Sequence, residues 1–349
     1  MPTVTRVPPP HSRHHGGMTR IVILATGGTI ASRTAVPGAG AVARDDARVL
    51  LGGAAVPAGV EPEAVDVLRG NSFAFGAVEE RAIAEAVRAQ LARPEVDGVV
   101  VTHGTDTLEE TAVLVDLAHA DPRPVVFTGA QRAADLPDTD GPANLADALV
   151  VAAAPSARGR GVLVVFGGAV LAARGVRKAH TLALQPFADP EGGPIGAVRA
   201  GAVEFWARRD RPLLAQVDAR FDGVDVEVAA AWPGADGSAL RAVLDRGAHG
   251  VVIAAFGAGN PTPGMTAAIA ELTGAGLLVA LGTRVAAGPV AAIYGGGGAA
   301  DAVAAGAIPL GRLGVAQGRI AAALLLSQYP VAEAGRLLGE LALGGLAAP

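Results

Sequence analysis

One lysine stands in this chain, Lys178 in "LAARGVRKAHT" (171–181). Of 28 basic residues, removing that one leaves 27 arginines. An arginine stays protonated, whereas a lysine amine can lose its proton once its pKa is lowered. A threonine hydroxyl is a weak nucleophile until a neighbouring base takes its proton, and such assistance is worth about 10²–10⁴-fold in rate. Two threonines sit in turns suited to that chemistry: Thr29 in "ATGGTIAS" (25–32) and Thr105 in "THGTDTLEE" (102–110). Each residue also has a plainer reading. Thr29 after two glycines reads as a turn or cap residue, Asp106 as a helix N-cap, and His103, with no orienting partner, as a structural side chain. A strongly arginine-biased chain can also leave one lysine anywhere. "ATGGT" is neither G-x-G-x-x-G nor a Walker A loop, so a phosphate cradle is weakly supported. The three asparagines, Asn71, Asn144 and Asn260, fall in loops or helix starts, where turn chemistry favours them.

The elements that would hold these residues follow from the hydrophobic pattern. "RIVILATGGT" (20–29), "DGVVVTHGTD" (97–106), "RPVVFTGAQR" (123–132) and "GVLVVFGGAV" (161–170) are continuous apolar runs, read as strands buried on both faces. Helical spacing appears over 77–91, 107–119 and 142–154. This alternation predicts an α/β fold: a mostly parallel, helix-flanked sheet with right-handed crossovers. Alternation around Ala-Gly in 195–209 predicts a β-hairpin, and 210–225 reads as a linker. A second alternation follows, with strands at 226–232, 250–259 and 276–283 and helices near 238–247, 264–273, 298–305, 315–327 and 331–342. The expected organisation is a larger N-terminal catalytic domain, 18–209, and a smaller C-terminal α/β domain, 226–349. Ligands of open parallel sheets bind beyond the carboxyl ends of the strands, where both threonine turns, the Gly129–Ala130 turn and Lys178 converge.

Composition narrows the classes. Hydrophobic residues make up 51 % of 349, yet no apolar run is long enough for a membrane helix. A net charge of −5 with interspersed arginines suggests neither nucleic acid nor an anionic membrane as partner. There is no cysteine, and the seven histidines show no ligand spacing, so no metal and no other cofactor is expected. "HSRHH" (11–15) lies in a Pro/Gly/His-rich leader, 1–17, without a signal-peptide core, read as a disordered tail with the working protein starting near Met18 in the cytoplasm.

At these residues the chain resembles the bacterial-type L-asparaginases, from about Thr19 to Glu340. "ILATGGTIAS" and "VVVTHGTDTLEETA" are similar to the family's two threonine signatures, in order. "PVVFTGAQR" with "DGPANLADAL", and "ARGVRKAHT", are similar to its supporting segments. The resemblance implies hydrolysis of L-asparagine to L-aspartate and ammonia. Thr29 would be the nucleophile forming an acyl-enzyme ester, with Thr105, Asp106 and Lys178 as the second constellation. Asp106 would bind the substrate's α-ammonium and Ser72 its α-carboxylate, while backbone at Gly28, Thr105 and Ala130 would hold the amide and its oxyanion. Asn260 matches a residue lent by a neighbouring subunit, which implies a homotetramer with shared sites. Two departures stand out. The loop "SRTAVPGAGAVARDD" (32–46) lacks the tyrosine often found there, the only tyrosines being Tyr294 and Tyr329. Phe73 follows Ser72 where the family often has glutamine. Rival readings are a glutaminase-asparaginase or amidotransferase-type amide hydrolase, and, outside enzymes, a metabolite-binding sensor. Ammonia release from asparagine and glutamine side by side separates them.

Overall fold

The apolar runs become strands because helices on both sides can cover them. In the computed structural model, which describes residues 17–34, 40–209, 211 and 215–344, β1 (Thr19–Gly27) sends Ile21, Ile23 and Ala25 to one face and Val22 and Leu24 to the other, all buried. A short ribbon follows, β2 (Ser32–Arg33) against β3 (Val42–Ala43), then α1 (Ala47–Gly53), β4 (Val60–Gly70) and α2 (Ala77–Leu91). Next come β5 (Gly98–Thr102), α3 (Leu108–Ala118), β6 (Val125–Thr128), α4 (Gly141–Ala153) and β7 (Val162–Phe166). Helix α2 buries Ile83, Val87 and Leu91, four residues apart, and Glu79 caps its start by accepting from Gly76 N at 2.9 Å.

The run 161–170, expected to be one strand, is instead a hairpin. β7 turns at Gly167 and Gly168, with φ of 52° and 75°, into the antiparallel β8 (Ala169–Ala172). Two successive positive φ values suit a tight hairpin turn, which glycine accepts without strain. Two-residue strands β9 (Arg177–Lys178) and β10 (Phe187–Ala188) pair with each other, and the hairpin β11 (Gly196–Arg199)–β12 (Ala202–Phe205) completes the sheet edge. The eight strands run in the order β12-β11-β8-β7-β6-β5-β1-β4, parallel from β7 to β4. The chain leaves β1 for β4 on one side and returns to β5 on the other, so the strand order reverses around β1. Such a switch point opens a crevice at the strand ends.

The second sheet is parallel throughout: β13 (Val226–Ala230), β14 (Gly250–Ala255), β15 (Leu278–Thr283) and β16 (Ile308–Pro309). Helices α5 (Ser238–Asp245), α6 (Pro263–Gly274) and α7 (Ala299–Ala304) cover one face, and α8 (Val315–Gln328) and α9 (Val331–Leu343) the other. Helix α8 is buried on most sides. Its alanines 321–323 and Leu324–Leu325 share a core with Val113, Leu114 and Leu117 of α3. The stretch expected as a linker contributes to that core: Val217 and Phe221 are 3 % and 1 % exposed, and a 3-10 turn spans Phe221–Gly223. Within it, residues 210 and 212–214 lie outside the described residues, as do 1–16 of the leader and 35–39 of the loop after the first threonine turn.

Candidate active site

At the end of β1, Gly27 and Gly28 take φ values of 101° and 77°. A Cβ on Gly27 would lie 2.3 Å from Gly70 O, and one on Gly28 2.5 Å from Gly104 Cα. Only glycine permits contact this close. Gly28 N donates to Gly70 O at 2.8 Å, and Ser32 Oγ to Gly28 O at 2.8 Å. Thr29 then opens a 3-10 turn, half-buried, and its hydroxyl has no hydrogen-bond partner among the described residues. Each threonine thus follows a glycine, Gly28 or Gly104, and those two glycines pack against one another.

Gly104 meets Ser72 on another side. A Cβ there would fall 2.5 Å from Ser72 Oγ. Ser72, in the turn after β4, is 2 % exposed, and its hydroxyl is buried without a partner among the described residues. Its carbonyl accepts from Thr107 Oγ1 at 3.1 Å. Phe73 beside it is 70 % exposed.

Lys178 reaches back across the crevice. Its Nζ donates to Thr105 Oγ1 at 2.9 Å and to Asp106 Oδ1 at 2.7 Å, and its backbone N–H donates to the Glu109 carboxylate. Burial pushes the Glu109 carboxyl up from its ordinary value, opposed by that N–H. Asp106 is no helix cap; Thr107 holds that place in α3, and the Asp106 side chain stays 53 % exposed. The plain reading of Asp106 as a helix cap therefore misses its actual partner, the lone amine.

His103 takes the structural role. It is fully buried between Phe75 and Phe127, with ring centroids 5.5 and 6.0 Å away, and Nδ1 lies 2.8 Å from Gly104 O. Desolvation lowers its pKa to about 4, so the ring is neutral at pH 7.

Ala130, fully buried, heads a turn held by two side chains. The Asp140 carboxylate accepts from Gln131 N at 3.0 Å and Arg132 N at 2.9 Å, and Asn144 Nδ2 donates to Gly129 O at 3.0 Å. Sequence reasoning missed Gln131, although it adjoins Ala130. Its Nε2 donates to Thr181 O at 3.1 Å, leaving Oε1 to accept the Thr105 hydroxyl at 3.0 Å. The Thr105 oxygen therefore gives its proton to Gln131 and accepts from the Lys178 ammonium. To take a proton from a threonine, Lys178 must first be the free amine, since an ammonium has no acceptor site.

Asn260 is not brought to these residues within the chain. It lies in the turn between β14 and α6, and its Oδ1 accepts from Ala299 N at 3.1 Å at the start of α7. Near Thr29, Ala134 N donates to Ser32 O at 2.9 Å and Arg33 pairs with Asp45 at 2.6 Å, which fixes the base of the 32–46 loop. Among the described residues no His, Asp or Glu group is placed to hold a metal ion, and no helix is long and apolar enough to cross a membrane.

Two family models cover most of the sequence. Residues 20–211 match "Asparaginase, N-terminal", and residues 225–336 match "Glutaminase/Asparaginase C-terminal domain". The chain belongs to the asparaginase family. It is 38 % identical over 321 residues to a probable L-asparaginase of Deinococcus radiodurans, covering 89 % of this chain and 94 % of the relative. It is 32 % identical over 288 residues to a glutaminase-asparaginase of Pseudomonas fluorescens, covering 78 % and 77 %. The crystal structure of a probable cytoplasmic L-asparaginase from Campylobacter jejuni superposes with a TM-score of 0.84 at 30 % identity, covering 93 % of this chain and 99 % of that one. The asparaginase-family fold is thus present over both sheets.

Proposed function

We propose that this chain hydrolyses the side-chain amide of L-asparagine, giving L-aspartate and ammonia through a threonine acyl-enzyme. The observation that carries the reading is the three-way contact of Lys178 Nζ with Thr105 Oγ1 and Asp106 Oδ1 at the sheet's switch point, one residue from where the two threonine turns meet. In the proposed first half-reaction, the Thr29 oxygen bonds to the carboxamide carbon while its proton passes to the departing nitrogen, and the C–N bond breaks to release ammonia. Water then attacks the ester, its proton returns to Thr29, and aspartate leaves. Lys178 and Thr105 handle the proton, Asp106 binds the substrate ammonium, the buried Ser72 hydroxyl meets its carboxylate, and backbone at Gly28, Thr105 and Ala130 polarises the amide. Loss of one oxyanion donor typically costs about 2.7–4 kcal/mol.

Glutamine is the second substrate to weigh, because one relative is named for both activities and Phe73 offers no side-chain hydrogen bond beside Ser72. The proposal also includes units at 18–209 and 226–349, a cytoplasmic location, and a homotetramer in which Asn260 completes a neighbour's site. Ammonia release with asparagine and glutamine tests the reading. Thr29→Ala is expected to abolish turnover, and Lys178→Arg to lower it by about 10²-fold or more, since charge is kept but proton acceptance is not. Wild-type turnover in Thr29→Ala refutes the nucleophile; wild-type turnover in Lys178→Arg reduces the lysine to a fixed cation.

A further inference from the structure

Lys178 hangs from a weak support of its own. Between the end of β8 at Ala172 and the two-residue β9 the chain bends through Gly175, at φ 94°; Ala173 N still donates to Val162 O at 3.0 Å, but residues 174–176 belong to no strand. The anchor comes from the other sheet unit. Gln317 of α8 is 1 % exposed, and its carboxamide uses both ends: Oε1 accepts from Gly175 N at 2.9 Å, while Nε2 donates to Ala173 O and Val176 O, each at 2.9 Å. Glu109 O lies 3.3 Å from the same nitrogen. One buried side chain therefore ties the lysine's segment to the first turn of α3, the helix preceded by Thr105 and Asp106, whose Glu109 carboxylate accepts the Lys178 N–H. On the far side, Arg177 donates to Ala286 O at 2.7 Å and to Arg312 O at 3.0 Å. Residues 173–177 are thus bonded to the C-terminal unit while Ala173 and Val176 pack in the core of the first sheet, and the Lys178 side chain turns back to the threonine.

We infer that Gln317 is a positioning residue for Lys178, acting across the two sheet units to set the amine against Thr105 and Asp106. The inference rests on the proton-handling role proposed for Lys178. A carboxamide suits this place because it supplies one acceptor and two donors in a plane. An apolar side chain of the same length would leave Gly175 N and two carbonyls buried and unpaired, and the segment would relax to satisfy them elsewhere. A catalytic group displaced by about 1 Å can lose about 10²-fold in rate.

The experiment compares Gln317→Glu, which keeps the acceptor for Gly175 N and the shape but not the donors, with Gln317→Met, which keeps only length. Lys178→Arg and the double variant Gln317→Glu/Lys178→Arg complete the cycle. Ammonia release from asparagine gives kcat and KM, and a thermal melt reports folding. Both Gln317 variants are expected to lose about tenfold or more in kcat with KM changed less than about twofold, and the double variant to be no slower than Lys178→Arg alone. Wild-type kcat in either folded Gln317 variant, or losses that multiply in the double variant, would overturn the inference, because a merely structural residue lowers activity independently of the lysine. So would failure of both single variants to fold. If instead Lys178→Arg turns over at the wild-type rate, the reading of the lysine itself falls, whatever the Gln317 variants do.

Discussion

Ser72→Ala separates a hydroxyl kept for a ligand from one kept for the fold. The Ser72 hydroxyl is buried and unpaired among the described residues, in a residue 2 % exposed. A buried polar group without a partner costs about 1–3 kcal/mol, so removing the oxygen should leave the free protein as stable or more stable by up to that amount. With a melting entropy of about 2.1 cal/mol/K per residue, 349 residues give a rise of about 1–4 °C. Substrate binding should change in the opposite direction. A hydrogen bond to a carboxylate contributes about 1.5–3 kcal/mol, equivalent to about 10–150-fold in affinity. The alanine variant should therefore show KM for asparagine raised by about tenfold or more, with kcat reduced much less. A ligand-free thermal melt and an ammonia-release titration on the same preparation read both effects. A variant that melts lower and keeps its KM would refute the reasoning: Ser72 would then be part of the fold's own bonding.

Glu80 offers a pH test. It is 5 % exposed on α2, and burial lifts its carboxyl to about 7, with Arg319 only 3.8 Å away to oppose it. A carboxyl raised in the folded state holds its proton more tightly there than in the unfolded chain, near 4.3. Its contribution is complete below that value and is lost as pH climbs from there through 7, a loss of about 3–4 kcal/mol by pH 8. Glu80→Gln should match wild type in denaturant at pH 4.5 and exceed it at pH 8; an equal difference at both pH values rejects the assignment. Gly28→Ala combines a φ of 77° with a Cβ 2.5 Å from Gly104 Cα. It should destabilise by at least about 2 kcal/mol in a denaturant melt and suppress turnover, and a stable, active variant would show that the two turns can separate.

Where one physical signal dominated, the fold was legible in the sequence. Helix α2 announced itself through Ile83, Val87 and Leu91, and β1, β5 and β6 through unbroken apolar runs. Strand β4 was not, because "VEPEAVDVLRG" is an edge strand paired only with β1 and left half-exposed, so charges and Pro62 interrupt its pattern. The β7–β8 hairpin was hidden because "VLVVFGGAVLA" is apolar on both sides of the turn, and hydropathy does not register a reversal. In the site, Lys178, Thr105 and Asp106 could be singled out by residue type and by their place after strands. Gln131 and Gln317 could not, since what distinguishes them is the set of side-chain bonds each makes to partners 26 residues or more away.

The two threonine turns touch through bare main chain, Gly28 against Gly104, with no side chain between them. The separation of the two hydroxyl-bearing segments is therefore set by backbone thickness alone, a dimension substitution cannot tune. Attempts to alter this protein's selectivity are best directed at the rim, at Phe73 and the neighbours of Gln131, because changes there can reshape what enters without moving the parts that would react.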